Sequence, residues 1–164
     1  MPERFAGAVL DREAAVAWCA AQRAAGRRIA FTNGVFDLLH AGHVAYLAWA
    51  RAQGDALLVG LNEDASVRAL KGPERPLVPF ADRARVVAGL RSVDAVVGFS
   101  ERTPEALLER VRPDVHIKSA QYRLEDLPER TVVGAYGGEI RLAPHLAGHS
   151  TTDIVAEIRR RYGA

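Results

Sequence analysis

The 164-residue sequence predicts an α/β fold, a five-stranded parallel sheet with helices on both faces. Three observations carry that reading. Short β-type apolar runs alternate along the chain with longer segments of helical period. One of those runs passes through an Asn-Gly turn directly into a helix. The length suits one domain with a single substantial core, and no internal repeat or low-complexity linker interrupts it.

The elements follow in order. Residues 11–25 form an Ala-rich helix closed by Gly26, so 1–27 reads as a helical N-terminal extension of one domain spanning 1–164. Strand 1 is 28–31, followed by the Asn33-Gly34 turn and a helix over 43–53 with apolar residues at Val44, Leu47, Ala48 and the edge position Trp49. Strand 2 is 56–61, then come a short helix over 62–70, a Pro-rich loop over 71–79 and a helix over 80–90. Strand 3 is 93–99, a helix covers 103–111, and strand 4 is 115–118. An irregular segment with a short helix leads to strand 5 at 140–143 and a last helix over 150–162.

Composition removes several classes of protein. Twenty-two Lys and Arg against 20 Asp and Glu leave the chain nearly balanced, so its pI near 9 reflects a small arginine excess and does not imply nucleic acid. One cysteine, Cys19, cannot form an internal disulfide, which fits a reducing cytosol. Residues 1–5 lack the plan of a signal peptide, and no apolar run approaches the ~20 residues of a membrane span. The expectation is a cytoplasmic protein without a membrane or nucleic-acid partner.

The chemistry concentrates in Phe31-Thr32-Asn33-Gly34-Val35-Phe36-Asp37-Leu38-Leu39-His40-Ala41-Gly42-His43. A helix start carries unpaired N–H groups and about half a positive charge, which favours an anion. His40 and His43 add donors aimed at the same place, and Gly42 permits close approach of a ligand. Taken alone, two such histidines are more often caps or local packing. A closed zinc site lacks its third and fourth ligands here, so no metal-ligating set is assigned.

In these residues the sequence resembles the nucleotidyltransferase superfamily with the His-x-Gly-His motif, whose members move a nucleoside monophosphate from an NTP to a phosphorylated acceptor. The resemblance implies a Rossmann-like sheet of order 3-2-1-4-5, placing the strand-order switch between strands 1 and 4. Ligands bind at such a switch, beyond the carboxyl ends of the strands. The histidines follow strand 1 and Lys118 ends strand 4.

Further segments fit the same resemblance. Gly148-His149-Ser150-Thr151-Thr152-Asp153 opens the last helix; capping of Asp153 by Ser150 would explain it alone, and the family's phosphate-binding Ser-Thr-Thr cluster is the second reading. Lys71-Gly72-Pro73, with Arg75 nearby, reads either as a solvated turn or as a basic contact, and Lys71 and Lys118 are the only lysines in the chain. Asp82-Arg83 is either a surface pair or, as in the resembling proteins, the carrier of an acceptor-phosphate arginine.

Within the superfamily the chain is most similar to the glycero-manno-heptose 1-phosphate adenylyltransferases, through Phe31-Thr32-Asn33-Gly34, Gly60-Leu61-Asn62-Glu63-Asp64-Ala65-Ser66-Val67-Arg68, Leu70-Lys71-Gly72-Pro73 and Ala135-Tyr136-Gly137-Gly138. That branch implies His40, His43 and Lys71 in catalysis, with Thr32, Asn33, Gly34, Phe36, Gly42, His43, Lys118, Ser150, Thr151 and Thr152 on the nucleotide. Asp37, Lys71 and Arg83 fall to the acceptor, with contact to hydrated magnesium or orientation of the turn as the other readings of Asp37. It also implies ATP as donor with CTP as the alternative, Mg²⁺ carried mainly on the NTP phosphates, and a homodimer. A cytidylyltransferase acting on glycerol 3-phosphate or another alcohol phosphate is the runner-up, and a nucleotide-binding module without catalysis is the alternative of another class. The kinase domain fused in some relatives is expected to be a separate protein. Two departures stand out: Lys118-Ser119-Ala120-Gln121-Tyr122 replaces the branch's Lys-Gly-Gly-Asp-Tyr, and Ala147 and His149 stand where an acidic residue and an arginine are usual.

Overall fold

Strand β3 (Ala56–Asn62) is buried along its whole length. Such a continuous apolar run marks a central parallel strand covered on both faces. It pairs in parallel with β2 (Ile29–Gly34) on one side and with β4 (Ala95–Phe99) on the other. Beyond β2 lie β5 (Val115–Ser119) and β6 (Glu139–Ala143), both parallel. These relations come from a computed structural model that describes residues 7–144 and 150–163. The 1–5 leader reading and the departures at Ala147 and His149 lie outside the described residues.

The expected order of five strands is present, but the sheet has six. The strand β1 (Ala8–Leu10) pairs in parallel with β4 and gives the order β1-β4-β3-β2-β5-β6. The segment 1–27 is therefore not a purely helical extension, because it supplies an edge strand before α1 (Arg12–Ala24). Three residues ending at the helix-capping Asp11 are too few to show a period; pairing with β4 makes them a strand. Gly7 lets the chain reach that edge, since a Cβ there would stand 2.6 Å from the Val93 carbonyl oxygen.

Alternation along each strand divides the core in two. One face joins Ala30, Leu57, Val59, Leu61, Val96 and Ile117 to Leu47 and Ala50 of α2 (Ala41–Arg51) and to Ala84, Val87 and Ala88 of α4 (Phe80–Ala88). The other joins Ile29, Phe31, Leu58, Ala95, Val97 and Phe99 to α1, to α5 (Glu105–Val111) and to Val133 of α6 (Glu129–Ala135). Contrary to the apolar face expected for α2, Val44 and Ala48 are exposed while Leu47 and Ala50 are buried. Tyr46 and Trp49 pack against the core from its flank.

Two further α-helices lie among the described residues. They are α3 (Asp64–Lys71), after β3, and α7 (Thr151–Tyr162), whose Ser150 cap accepts a hydrogen bond from the Asp153 N–H at 3.0 Å. Strand order reverses between β2 and β5, so a crevice opens beyond their carboxyl ends.

Candidate active site

At the end of β2 the chain makes a tight excursion before entering α2. Phe36 adopts φ 46°, a left-handed conformation that non-glycine residues rarely take. Its ring folds back over Gly34, where a Cβ would meet the ring at 2.8 Å, and then packs on His43 at 5.1 Å. This explains both the glycine and the buried aromatic in the motif.

His40 is the N-cap of α2, and its Nδ1 accepts from the His43 N–H at 3.4 Å. An accepting Nδ1 leaves Nε2 as the N–H of the neutral ring. The two imidazoles stack with centroids 3.8 Å apart, so protonating both would place like charges in contact. Burial, and then the charges of His40 and Lys71, push the His43 imidazole down to about 4. At neutral pH it is a neutral hydrogen-bonding group in the free protein.

The pair opens into a cleft of about 900 Å³ lined by Asn33, Asn62, Lys118 and Ser119 from the strand ends, and by His43, Tyr46 and Trp49 from α2. On the β5 side, Lys118 Nζ donates to Glu129 Oε1 at 2.9 Å and to Asn33 Oδ1 at 3.4 Å, 5.1 Å from the centre of the Tyr122 ring. Burial alone would raise the Glu129 carboxyl, but His116 and Lys118 outweigh it and hold it at about 2. His116 is fully buried, with Nε2 3.9 Å from Glu129 Oε1, and burial keeps its ring below the ordinary histidine range. Lys118 therefore stands on a fixed, ionised carboxylate.

The start of α7 closes the same side. Thr151 Oγ1 donates to the Leu38 carbonyl at 3.1 Å, which docks the helix start on the histidine turn, and Ser150, Thr151 and Thr152 line the cleft.

The opposite wall is built differently. The Asp37 carboxylate is almost wholly buried and accepts from Leu77 N at 2.9 Å, Val78 N at 2.9 Å and Arg75 Nε at 2.7 Å. Burial would raise it, but those N–H groups and Arg75 bring it below the usual carboxylate range. The histidine turn is thereby fastened to the loop between α3 and α4, which presents Arg75 to the cleft, while the last residue of α3 presents Lys71.

Two expected contacts do not reach this cleft. Arg83 is 1% exposed and gives its donors to the carbonyls of Val78 at 2.8 Å, Val35 at 2.6 Å and Asn62 at 2.9 Å, and to Asp64 Oδ1 at 2.7 Å. It is absent from the lining because α4 turns it inward, where it staples three backbone segments. Thr32 is also fully buried and ties β2 to β5 by donating to the Ile117 carbonyl at 3.0 Å. Asn33, Gly34, Phe36, Asp37, His40, Gly42, His43, Lys71, Lys118, Ser150, Thr151 and Thr152 do line it.

Sequence reading missed Tyr46, Trp49 and Glu129. The first carried a signal, because Tyr46 follows His43 at a spacing of three and shares its side of α2, and Trp49 lies one such step further round. Glu129 carried none: a glutamate in the first turn of a short helix looks solvated until α6 packs on β5.

A crevice at a sheet switch point, with a helix start, stacked histidines and separate cationic walls, defines an α/β phosphate-handling domain of nucleotidyltransferase type. The chain belongs to the cytidylyltransferase-like family, whose family model matches residues 31–157. Curated relatives agree. It is 55% identical over 139 residues to the bifunctional protein HldE of Pseudomonas aeruginosa (strain LESB58), covering 85% of this chain and 29% of that protein. It is 52% identical over 153 residues to that of Halorhodospira halophila (strain DSM 244 / SL1), covering 93% and 32%. The chain thus spans about a third or less of these relatives. Among solved structures, the lipopolysaccharide core biosynthesis protein from Thermoplasma volcanium GSS1 superposes with a TM-score of 0.62 at 23% identity, covering 74% of this chain and 98% of that one, a likeness of fold.

Proposed function

We propose that this chain transfers AMP from ATP to a sugar 1-phosphate, with a heptose 1-phosphate as the leading acceptor, and releases pyrophosphate. The observation that carries the reading is the stacked His40–His43 pair at the start of α2, between a Lys118 wall and a Lys71 wall. Two phosphorylated reactants need two cationic flanks, and the groups that act on the reacting phosphorus belong between them. Resemblance to the sugar-phosphate branch supplies the acceptor and the base, and with them the cytoplasmic setting.

The reaction is direct displacement. An acceptor phosphate oxygen forms a bond to the α-phosphorus, the bond from that phosphorus to the bridging oxygen breaks, and pyrophosphate leaves with the electron pair. His40 and His43 donate hydrogen bonds to the α-phosphoryl oxygens. Lys118 and the α7 start hold the nucleotide's phosphates, and Lys71 neutralises the acceptor's. Asp37 acts by fixing the loop that follows Lys71 and carries Arg75. The donor set fits a magnesium ion carried in on the nucleotide: Asp37 and Glu129 are committed to Arg75 and Lys118, and the described residues contain no cluster of three or more His, Cys, Asp or Glu placed to hold a metal. Phosphate oxygens and waters would be its ligands, and it would neutralise NTP charge.

The test is magnesium-dependent pyrophosphate release from ATP, CTP, GTP and UTP, each crossed with a heptose 1-phosphate, other sugar 1-phosphates, glycerol 3-phosphate and choline phosphate. Release with ATP and the heptose phosphate is expected, and His40→Ala or His43→Ala should lower turnover by roughly 100-fold or more. Release confined to CTP with an alcohol phosphate would replace this reading, and normal turnover in folded His43→Ala would remove it.

A further inference from the structure

We infer that Arg75, held in place by Asp37, is the fork that receives the acceptor's phosphate, in the place the sequence assigns to Arg83. The inference rests on the transfer reading and adds a specificity-determining residue to it.

An arginine that binds a phosphate well is fixed at one edge and open at the other, because a bidentate contact needs two parallel N–H donors already aligned. Arg75 meets that description. Its Nε donates to Asp37 Oδ2 at 2.7 Å, while its terminal nitrogens have no hydrogen-bond partner among the described residues. Its side chain keeps 18% of its surface accessible against 1% for Asp37, so the pair is seated in the wall with only the arginine facing outward. Asp37 cannot drift, because the Leu77 and Val78 N–H groups hold both of its oxygens. Beneath it, Arg83 binds the carbonyls of Val35 and Val78, clamping the two segments that Asp37 joins. One arginine is spent on scaffold and the other is displayed.

Location assigns the phosphate. Arg75 and Lys71 come from the connection after β3, on one side of the histidines. Lys118 and Ser150–Thr152 come from β5 and α7 on the other, where the helix start already offers N–H groups to the nucleotide. Arg102, the other cleft-lining arginine among the described residues, is exposed and has no comparable anchor. Two cations four residues apart, one ending α3 and one in the loop after it, suit a dianionic monoester such as a sugar 1-phosphate.

The experiment is steady-state kinetics of the full chain and of Arg75→Gln and Arg75→Lys, with ATP and glycero-manno-heptose 1-phosphate varied in turn and thermal melts as a check on folding. Arg75→Gln should raise the KM for the heptose phosphate at least tenfold and leave the KM for ATP within twofold. Arg75→Lys, which keeps the charge and the partner but loses the fork, should raise the acceptor KM at least threefold; it also serves if the glutamine variant does not fold. An unchanged acceptor KM, or a rise confined to ATP, overturns the proposal. Calorimetric titration of the same heptose phosphate separates the two readings. If the parent chain binds it but releases no pyrophosphate, and Arg75→Gln abolishes binding, the transfer reading falls while Arg75 stands; undiminished binding by the variant removes Arg75.

Discussion

His43 is neutral in the free protein because burial and its cationic neighbours disfavour the imidazolium. A polyphosphate placed against it reverses that balance, since an anion stabilises the charged form. Nucleotide binding should therefore take up part of a proton near pH 6, between the His43 value of about 4 and the ordinary 6.5. Calorimetry of MgATP binding in two buffers of different ionisation enthalpy measures this uptake directly, and comparison with His43→Asn subtracts the nucleotide's own titration. Equal uptake by both proteins would assign the proton elsewhere. The contrast with Lys118 is instructive: the lysine stands on ionised Glu129, whereas the histidine waits for its ligand to supply the countercharge.

Between residue and sheet, the site depends on how α4 and the loop before it are fastened. Arg83 reaches from α4 to the carbonyls of Val35, Asn62 and Val78, joining the histidine turn, the end of β3 and the loop between α3 and α4. Replacing it with methionine keeps much of the volume but leaves those carbonyls and Asp64 without their donor. We expect Arg83→Met to destabilise the fold by about 3 kcal/mol or more, read as a lowered midpoint in urea unfolding. A substrate-binding arginine would behave differently, with stability preserved and acceptor KM raised. Gly60 shows a similar constraint on β3, because a Cβ there would stand 2.7 Å from the fully buried Phe31 ring. Gly34 and Gly60 thus both leave space for a particular aromatic ring.

Across the whole molecule, burial of titratable groups sets the acid side of stability. His43 and His116 both have values below that of an unfolded histidine, so the folded chain binds fewer protons than the unfolded one as the solution is acidified. Their contribution is complete above about 6.5 and is lost as pH falls toward the His43 value of about 4. Glu129 and Asp37, both lowered, add stability that is present above the unfolded carboxylate range and disappears only in stronger acid. The melting temperature of the ligand-free chain should thus fall between pH 7 and 5, with a shallower slope in His43→Asn. A slope identical in the two proteins would sink the assignment to His43. No helix among the described residues is long and apolar enough to cross a membrane.

Local pattern and local chemistry encode much of this fold and part of its site. Alternating periods defined five of the six strands, because a buried parallel strand and an amphipathic helix each repeat over enough residues to be read. The histidine turn was legible because Asn33-Gly34, His40, Gly42 and His43 lie within one short stretch, and capping by Ser150 because its Asp153 partner is three residues away. The remaining features depend on partners far apart in the chain. Three residues became β1 only against β4, 87 positions away by the Ala8–Ala95 register. Arg83 and Thr32 went to scaffold and Arg75 to the cleft because the carbonyls and carboxylate that claim them belong to other segments. Glu129 became the seat of Lys118 only when α6 packed on β5. A side chain's type announces the bonds it can make, and which of them it makes depends on which unpaired groups the fold brings within about 3 Å.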